Sequence, residues 1–229
     1  MEVKRFGLGL DKNDRWLAVR RVAREAGLAM DDPGVAARCA DRAAADGGPL
    51  EWPVPEEKLV RKLSVPSQGR LYYVRYALKM GWSIERVHDL TGYDPWYLDQ
   101  LLQLCEFEEE ICRHDSLEAM PAETLAEAKR LGYSDPQLAN VHFGDIAAET
   151  ILAVRRHRKR LGIEPVYKLV DTCAAEFEAA TPYFYSTYEF PGGDAGEHTV
   201  EDEIRVSDRP KIVILGGGPN RIGQGIEFD

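Results

Sequence analysis

The sequence lacks the features of a secreted, membrane-spanning or metal-dependent protein. No stretch approaches the ~20 consecutive apolar residues of a membrane span, and no basic segment followed by an apolar one stands at the N-terminus. The four cysteines have no C-x-x-C spacing, so we expect reduced thiols in a cytoplasmic protein. The five histidines lack metal-ligand spacing, and no Ser/His/Asp or Cys/His order predicts a catalytic site or a bound metal.

An excess of basic residues is also missing. With 29 Lys and Arg against 39 Asp and Glu, the net charge is −10, which argues against nucleic acid or an anionic membrane as a partner. Residues 83–101 imitate a DNA-reading helix-turn-helix, but the second helix contains no Lys or Arg, so we interpret it as scaffold. The basic run at residues 155–160 complements the dipole at the C-terminus of a predicted helix.

Helical periodicity dominates what the sequence does contain. Apolar residues recur at helical intervals from residue 55 to residue 162, with Ser, Asp or Pro at the starts of segments and Gly at their ends. Residues 15–26 form an earlier amphipathic helix ended by Gly27, and another runs from Pro33 to about residue 45. These patterns predict a mainly α fold with β pairing only after Gly162.

The longest predicted helix begins at Asp94 and Pro95, an N-cap residue followed by a proline suited to the first turn. The acidic residues at 106 and 108–110 read as a solvated face, or alternatively as a salt-bridge surface for a partner domain. The predicted buried face comprises Trp96, Leu98, Leu101, Leu102, Leu104, Cys105 and Ile111.

Two parts of this helical region resemble each other and form a weak internal repeat. Residues 83–98 give a short helix, Gly-Tyr-Asp-Pro and a longer helix, and residues 131–151 give Gly-Tyr-Ser-Asp-Pro, a short helix and a longer one. Two such units in series predict a compact, irregular helical array.

The pattern changes after Gly162. Residues 166–170 and 183–188 are short β-prone runs, and the Gly-rich, acidic residues 190–210 form a predicted linker. Residues 211–215 resemble a buried parallel strand and lead into three glycines, which is how a βαβ unit opens. Because one strand cannot build a parallel sheet, we expect this stretch to be the first piece of a domain that continues elsewhere.

The glycine-rich loop fits neither of two phosphate-binding patterns. The G-x-G-x-x-G pattern places Arg221 at the third glycine, and the P-loop pattern places Gln224 and Gly225 where Lys and Ser or Thr belong. A tight strand-to-helix turn is therefore the favoured interpretation, and phosphate binding remains the alternative.

Read as longer strings, several segments resemble the central part of the large subunit of carbamoyl phosphate synthetase. The matching strings, in this order, are SQGRLYYVRYALKMGWSIERVHDLT, DPWYLDQL, GIEPVYKLVDTCAAEFEAATPYFYSTYE and ILGGGPNRIGQGIEFD. The resemblance covers residues 55–229 and is weak before them, where the Ala-rich stretch near residues 33–49 looks like an insertion. It implies an N-terminal extension (1–54), a helical oligomerisation domain (55–189), a linker (190–210) and the first strand and loop of a truncated, Rossmann-like pre-ATP-grasp domain (211–229).

The resemblance also implies a function for the complete enzyme. That family makes carbamoyl phosphate from bicarbonate and glutamine-derived ammonia for arginine and pyrimidine synthesis, and uses ATP with Mg and K. Its nucleotide and metal residues would lie outside this chain, so we expect no cofactor here. The implied partners are the other large-subunit domains, the glutaminase small subunit and further copies of the chain, and Gly225 and Glu227 would line the passage of the carbamate intermediate.

A second function remains open from the residues alone. Turn formation at Gly225 and a favourable place for Glu227 in the first turn of a helix would explain both residues without any passage. Separately, the alternative function for the whole chain is a free-standing helical protein-interaction module with no enzymatic activity. ATP-grasp sequence on both sides of the reading frame would distinguish the two functions.

Overall fold

A computed structural model describes residues 15–40, 42, 50–67, 69–174, 176–177, 183–189 and 202–212. Within this part, the chain forms two compact units. The first unit contains the helices, and the second contains residues 167–174, 176–177, 183–186 and 202–212.

The first unit confirms the prediction of a mainly helical protein. Residues predicted to continue the second helix to about residue 45 lie, from 43 onward, outside the described residues. No helix in the described ranges is long and apolar enough to cross a bilayer. The described helices are α1 (Arg15–Ala26), α2 (Pro33–Ala40), α3 (Glu56–Ser64), α4 (Arg70–Lys79), α5 (Ile84–Thr91), α6 (Pro95–Arg113), α7 (Ala122–Arg130), α8 (Asp135–Phe143) and α9 (Ala148–Arg160).

Helix α6 runs through the centre of this unit. Its 19 residues give it a length of about 28 Å. Leu98 and Cys105 contribute to a core shared with α3, α4 and α5, whereas Ile111 contributes to a second core shared with α7, α8 and α9. One helix therefore ties the two halves of the array together.

Each core is built from the apolar stripe of several amphipathic helices. The first core contains Val54, Leu59, Leu63, Val74, Tyr76, Ala77, Leu78 and Val87 beside the two α6 residues. The second contains Leu117, Met120, Leu125, Ala128, Tyr133, Leu138, Ala139, Val154 and Ile163 beside Ile111. A smaller core joins α1 and α2 through Val19, Val22, Ala23, Val35, Cys39 and Leu50.

The structure shows the weak internal repeat, but the equivalent positions differ from the predicted ones. Gly81 ends α4 and Gly132 follows α7, both with positive φ, and the next residue in each case donates a backbone hydrogen bond back to the preceding helix. Ser83 and Ser134 then cap α5 and α8 with their side chains. The equivalent positions are thus Gly81 and Gly132, whereas the Gly-Tyr strings of the sequence predict that Gly92 is equivalent to Gly132.

The β structure is small and confirms the expected position of strand pairing after Gly162. Strands β1 (Val166–Leu169) and β2 (Phe184–Thr187) form a two-stranded antiparallel sheet. Of the strand predicted at 211–215, only Lys211 and Ile212 are described, and neither belongs to a strand.

Candidate functional site

The two predicted site residues, Gly225 and Glu227, lie outside the described residues. Within the part of the chain that the structure covers, no group of three or more His, Cys, Asp or Glu side chains could hold a metal ion. Among the described residues, two ion clusters stand out in the interior of the first unit.

The first ion cluster lies between α4 and α6. Arg75 Nη2 lies 2.5 Å from Glu108 Oε2, and Lys79 Nζ lies 3.1 Å from the same oxygen. The three side chains are nearly inaccessible, at 4%, 0% and 2% exposure. Burying three charges is unfavourable unless they are paired and hydrogen-bonded, so this geometry compensates a large desolvation cost. The prediction that the acidic run forms a solvated face is wrong for Glu108.

Helix α1 covers this cluster with an aromatic side chain. Lys79 Nζ lies 3.6 Å from the centroid of the Trp16 ring and also donates to the carbonyl oxygen of Cys105 at 2.8 Å. Arg75 lies within 6 Å of the same ring. An ammonium over an indole face is held by cation–π attraction, which strengthens when water is excluded. The cluster therefore joins three helices rather than two.

A cavity of about 80 Å³ adjoins Glu108 and its cationic partner Arg75. Glu108 Oε1 is buried and has no hydrogen-bond partner among the described residues. The phenol of Tyr133 also borders the cavity and donates to the carbonyl oxygen of Leu104. A cavity of this size that is bordered by polar groups has room for water molecules. The complete lining is Arg75, Leu104, Cys105, Glu108, Leu131, Gly132, Tyr133 and Gln137.

The thiols near this cavity have no activated character. Burial raises the pKa of Cys105 to about 11, and the nearby cations only partly oppose it. Burial likewise raises the pKa of Cys112 to about 11. Since the thiolate is the nucleophilic form, both residues are inert at neutral pH. The cavity is a polar junction between helices and has no nucleophile of its own.

A second ion cluster, at Asp135, repeats this arrangement between α7, α8 and α9. Lys129 Nζ lies 2.9 Å from Asp135 Oδ1, and Arg158 Nε lies 3.0 Å from Asp135 Oδ2. Lys129 also donates to the carbonyl oxygen of Tyr133 at 2.6 Å, and Arg158 to that of Ile163 at 3.0 Å. Burial lowers the pKa of Lys129, and the hydrogen bond with Asp135 opposes that shift. Each half of the array thus contains one carboxylate between two cations, fully buried at Glu108 and largely buried at Asp135.

Arginines of α1 attach this helix to the second half of the array. Arg20 Nη2 donates to the carbonyl oxygen of Cys112 at 2.5 Å, close to the C-terminus of α6. Arg21 donates to Asn140 Oδ1 at 2.6 Å. Guanidinium groups at a helix C-terminus satisfy carbonyl groups that have no partner within the helix. Helix α1 is therefore an integral part of the first unit.

The start of α6 carries the largest exposed aromatic side chains of the helical unit. Trp96 and Tyr97 are 62% and 64% exposed, and their rings meet edge to face with centroids 5.1 Å apart. The prediction that Trp96 lies on the buried face is wrong. Exposed aromatic residues of this kind are enriched where proteins bind one another.

Sequence reasoning missed the burial of Glu108, although a signal for it was present. Glu108 follows Cys105 by three positions and precedes Cys112 by four, so it continues the apolar stripe of α6. Arg75 and Lys79, which are four positions apart on α4, offer two cations on one helix face. An acid on an apolar stripe facing such a pair indicates a buried ion cluster.

Within the described residues, these features define the class of protein as a helical scaffold whose helices are joined by interior ion clusters. A family model described as "Carbamoyl-phosphate synthetase large chain, oligomerisation domain" matches residues 36–162. The chain belongs to this family. The match begins inside the segment 1–54 that we predicted as an N-terminal extension, and that division into domains remains a prediction.

Individual relatives carry the same name. The chain is 50% identical over 179 residues to a carbamoyl phosphate synthase large chain of Archaeoglobus fulgidus, covering 77% of this chain and 15% of the relative. It is 48% identical over 174 residues to one of Rhodopirellula baltica, covering 76% and 15%. It is 45% identical over 183 residues to one of Mycobacterium tuberculosis, covering 78% and 15%. The chain thus spans only about 15% of the length of these relatives.

Proposed function

We propose that this chain is a central scaffold segment of a carbamoyl phosphate synthase large chain, which connects neighbouring domains and contributes contacts between copies. The observation that carries the proposal is the match of residues 36–162 to the oligomerisation domain of that large chain. Two buried ion clusters support a rigid connecting role, because charges desolvated in fixed geometry resist relative motion of the helices.

The complete enzyme that we propose is a cytoplasmic, glutamine-hydrolysing ligase. It would make carbamoyl phosphate from bicarbonate and glutamine-derived ammonia at the expense of ATP, with Mg and K as cofactors, for arginine and pyrimidine synthesis. Its glutaminase small subunit and the other large-chain domains would be the partners of this segment. In this proposal the ATP and metal sites belong to those other domains.

Activity and mass of the purified chain test the scaffold role. We expect no bicarbonate-dependent ATP hydrolysis above a mock preparation and a mass that is a multiple of 25.7 kDa by light scattering at micromolar concentration. Bicarbonate-dependent hydrolysis that co-purifies with the chain would contradict the scaffold role. A mass of one chain at every concentration would contradict the contact between copies.

We also propose that Gly225 and Glu227 line the passage of the carbamate intermediate in the complete enzyme. A glycine at a narrow point leaves space that any Cβ would fill, and a carboxylate beside it can accept hydrogen bonds from passing or neighbouring donors. In the full large chain, Gly225→Leu should leave both partial ATP reactions largely intact while ATP is consumed without carbamoyl phosphate. Gly225→Ala, a smaller change, should show weaker uncoupling, and full coupled synthesis by Gly225→Leu would refute the passage.

A further inference from the structure

The outer side of the first half of α6 forms an acidic face with an aromatic end. Trp96, Asp99, Gln103 and Glu106 follow one another at intervals of three and four, which places them along one side of the helix. Tyr97 contacts the Trp96 ring at one end, and Asp94 caps the helix there. We call this surface the acidic face: Asp94, Trp96, Tyr97, Asp99, Gln103 and Glu106.

The carboxylates of the acidic face have no cationic partner among the described residues. Asp99 Oδ2 accepts hydrogen bonds from two neutral amides, of which the nearer, from Gln103, is 2.7 Å long. Asp94 accepts only from the backbone of Trp96, and Glu106 forms no ion pair with a described side chain. By contrast, Glu110, one turn beyond Glu106, pairs with Arg113. The face therefore presents uncompensated negative charge beside exposed aromatic surface.

The outer side of α9 shows the opposite charge. Arg155 and Arg156 are exposed, and neither guanidinium forms an ion pair with a described side chain. Lys159 adds a third cation although it contacts Glu164 at 3.2 Å, and Leu152, 43% exposed, supplies an apolar group at the other end. We call this surface the basic face: Leu152, Arg155, Arg156, Lys159 and Arg160.

We propose that the acidic face of one copy of this chain binds the basic face of a second copy. The inference rests on the proposed role as a contact between copies and assigns the surfaces that make it. Both faces belong to the first unit, and no ion pair between described residues joins them within one copy. Two copies related by a twofold axis would satisfy both faces of both copies at once, as a closed, isologous dimer requires.

Length, charge and apolar content of the two faces fit one another. The acidic face extends over about 15 Å between Trp96 and Glu106, and the basic face over about 12 Å between Leu152 and Arg160. Trp96 can anchor against Leu152 while carboxylates meet guanidinium groups, and Trp, Tyr and Arg are the residue types enriched at the hot spots of interfaces. A nucleic acid is a poor alternative for the basic face, since a net charge of −10 repels a polyanion.

Charge reversal on each face in turn tests the proposal with the full chain. One variant carries Asp99→Lys and Glu106→Lys, and the other carries Arg155→Glu and Arg156→Glu. In a dimer of either variant with itself, like charges face each other at both contacts. We therefore expect the dissociation constant of that dimer, measured by sedimentation equilibrium, to rise about 100-fold or more. In an equimolar mixture, a mixed dimer joins two reversed faces at one contact and two unchanged faces at the other, and the charges are complementary at both. It should therefore regain an association within about tenfold of the original chain.

Matched controls reverse equal numbers of charges elsewhere on the helical unit. Glu57→Lys with Glu123→Lys and Arg38→Glu with Arg61→Glu change exposed residues outside both faces. We expect the control variants to associate as the original chain does. Equal far-UV circular dichroism and equal melting temperatures across all variants exclude loss of fold as the cause.

The outcomes separate this inference from the proposed function. If the original chain is monomeric, the contact between copies and the face assignment both fail. If the original chain associates and the charge-reversed variants associate equally well, only the face assignment fails. Weakened single variants that do not recover on mixing also overturn it, because complementarity predicts recovery.

Discussion

Neutralising Glu108 should destabilise the helical unit more than any change of an exposed acid. Glu108→Gln keeps the shape of the side chain but removes the buried anion that lies 2.5 Å from Arg75 and 3.1 Å from Lys79. Lys79 then keeps only its longer contact, 3.4 Å, with the half-exposed Glu109 among its described ion pairs. Removing one partner of a buried ion pair typically costs about 3–5 kcal/mol, because the remaining charge stays desolvated. That loss is a large part of the ~5–15 kcal/mol that stabilises a typical protein.

Urea unfolding followed by far-UV circular dichroism measures this loss. We expect the midpoint to fall with little change in slope, and the melting temperature to drop by roughly 6–20 °C. Glu110→Gln is the matched control, since Glu110 lies on the same helix and pairs with Arg113 while partly exposed. That control should cost less than about 1 kcal/mol.

A fully apolar replacement distinguishes lost charge pairing from lost packing. Glu108→Leu combined with Arg75→Met and Lys79→Met removes all three charges while roughly conserving volume. We expect its free energy of unfolding to lie within about 2 kcal/mol of the original value, because no charge is left buried and unpaired. A free energy of unfolding of Glu108→Gln within about 0.5 kcal/mol of the original value would be roughly the effect of a neutral surface substitution. The ion cluster would then contribute little to stability, and the reasoning would be wrong.

Three further predictions concern titration, thiol reactivity and self-association. Burial lowers the pKa of His142 from 6.5 to about 4, so the unfolded state binds more protons and stability falls as the pH drops from about 6.5 to 4. After allowance for partial exposure we expect a loss of about 1–2 kcal/mol over that range in urea titrations, and His142→Gln should abolish this slope. Only Cys173, the least buried thiol, should react rapidly with a thiol reagent at pH 8. Cys105 and Cys112 should react only when the chain unfolds. Rapid reaction of two or more thiols in the folded chain would contradict this prediction. Tryptophan emission should shift to the blue as the chain concentration rises, because association covers the exposed Trp96 ring. Trp96→Phe should remove this shift. A shift that persists in Trp96→Phe would show that another tryptophan causes it.

Helix positions were predictable because local chemistry fixes them. Asp94 accepts from the backbone of Trp96, and Ser83 and Ser134 accept from the third residue after each of them, as N-caps do. Gly92, with φ of 68°, ends α5 in a conformation that other residues rarely adopt. Such signals lie within a few residues of one another, so a sequence contains all the information they need.

Burial of individual side chains was less predictable, for two different reasons. Trp96 was assigned to the core by its hydrophobicity, although it precedes Leu98 by two positions and so lies about 200° from it around the helix. The periodicity itself therefore excluded that assignment. The burial of Glu108 depends on cations that lie 33 and 29 positions earlier in the chain. The acidic run around Glu108 therefore predicts an exposed side chain, which is the opposite of what the structure shows. The candidate residues Gly225 and Glu227 depended on resemblance alone and stay predictions.

The two buried ion clusters determine which helix faces point outward. Apolar contacts in the two cores supply most of the stabilising free energy, but they are non-directional and tolerate rotation of one helix against another. A rotation of α6 by one residue, about 100°, would separate Glu108 from both cations on α4 and break the pairing that compensates the desolvation of these charges. Arg158 imposes the same restriction on α9 through Asp135. Because α6 carries the acidic face and α9 the basic face, the clusters inside the unit hold the contact surfaces outside it in a fixed orientation.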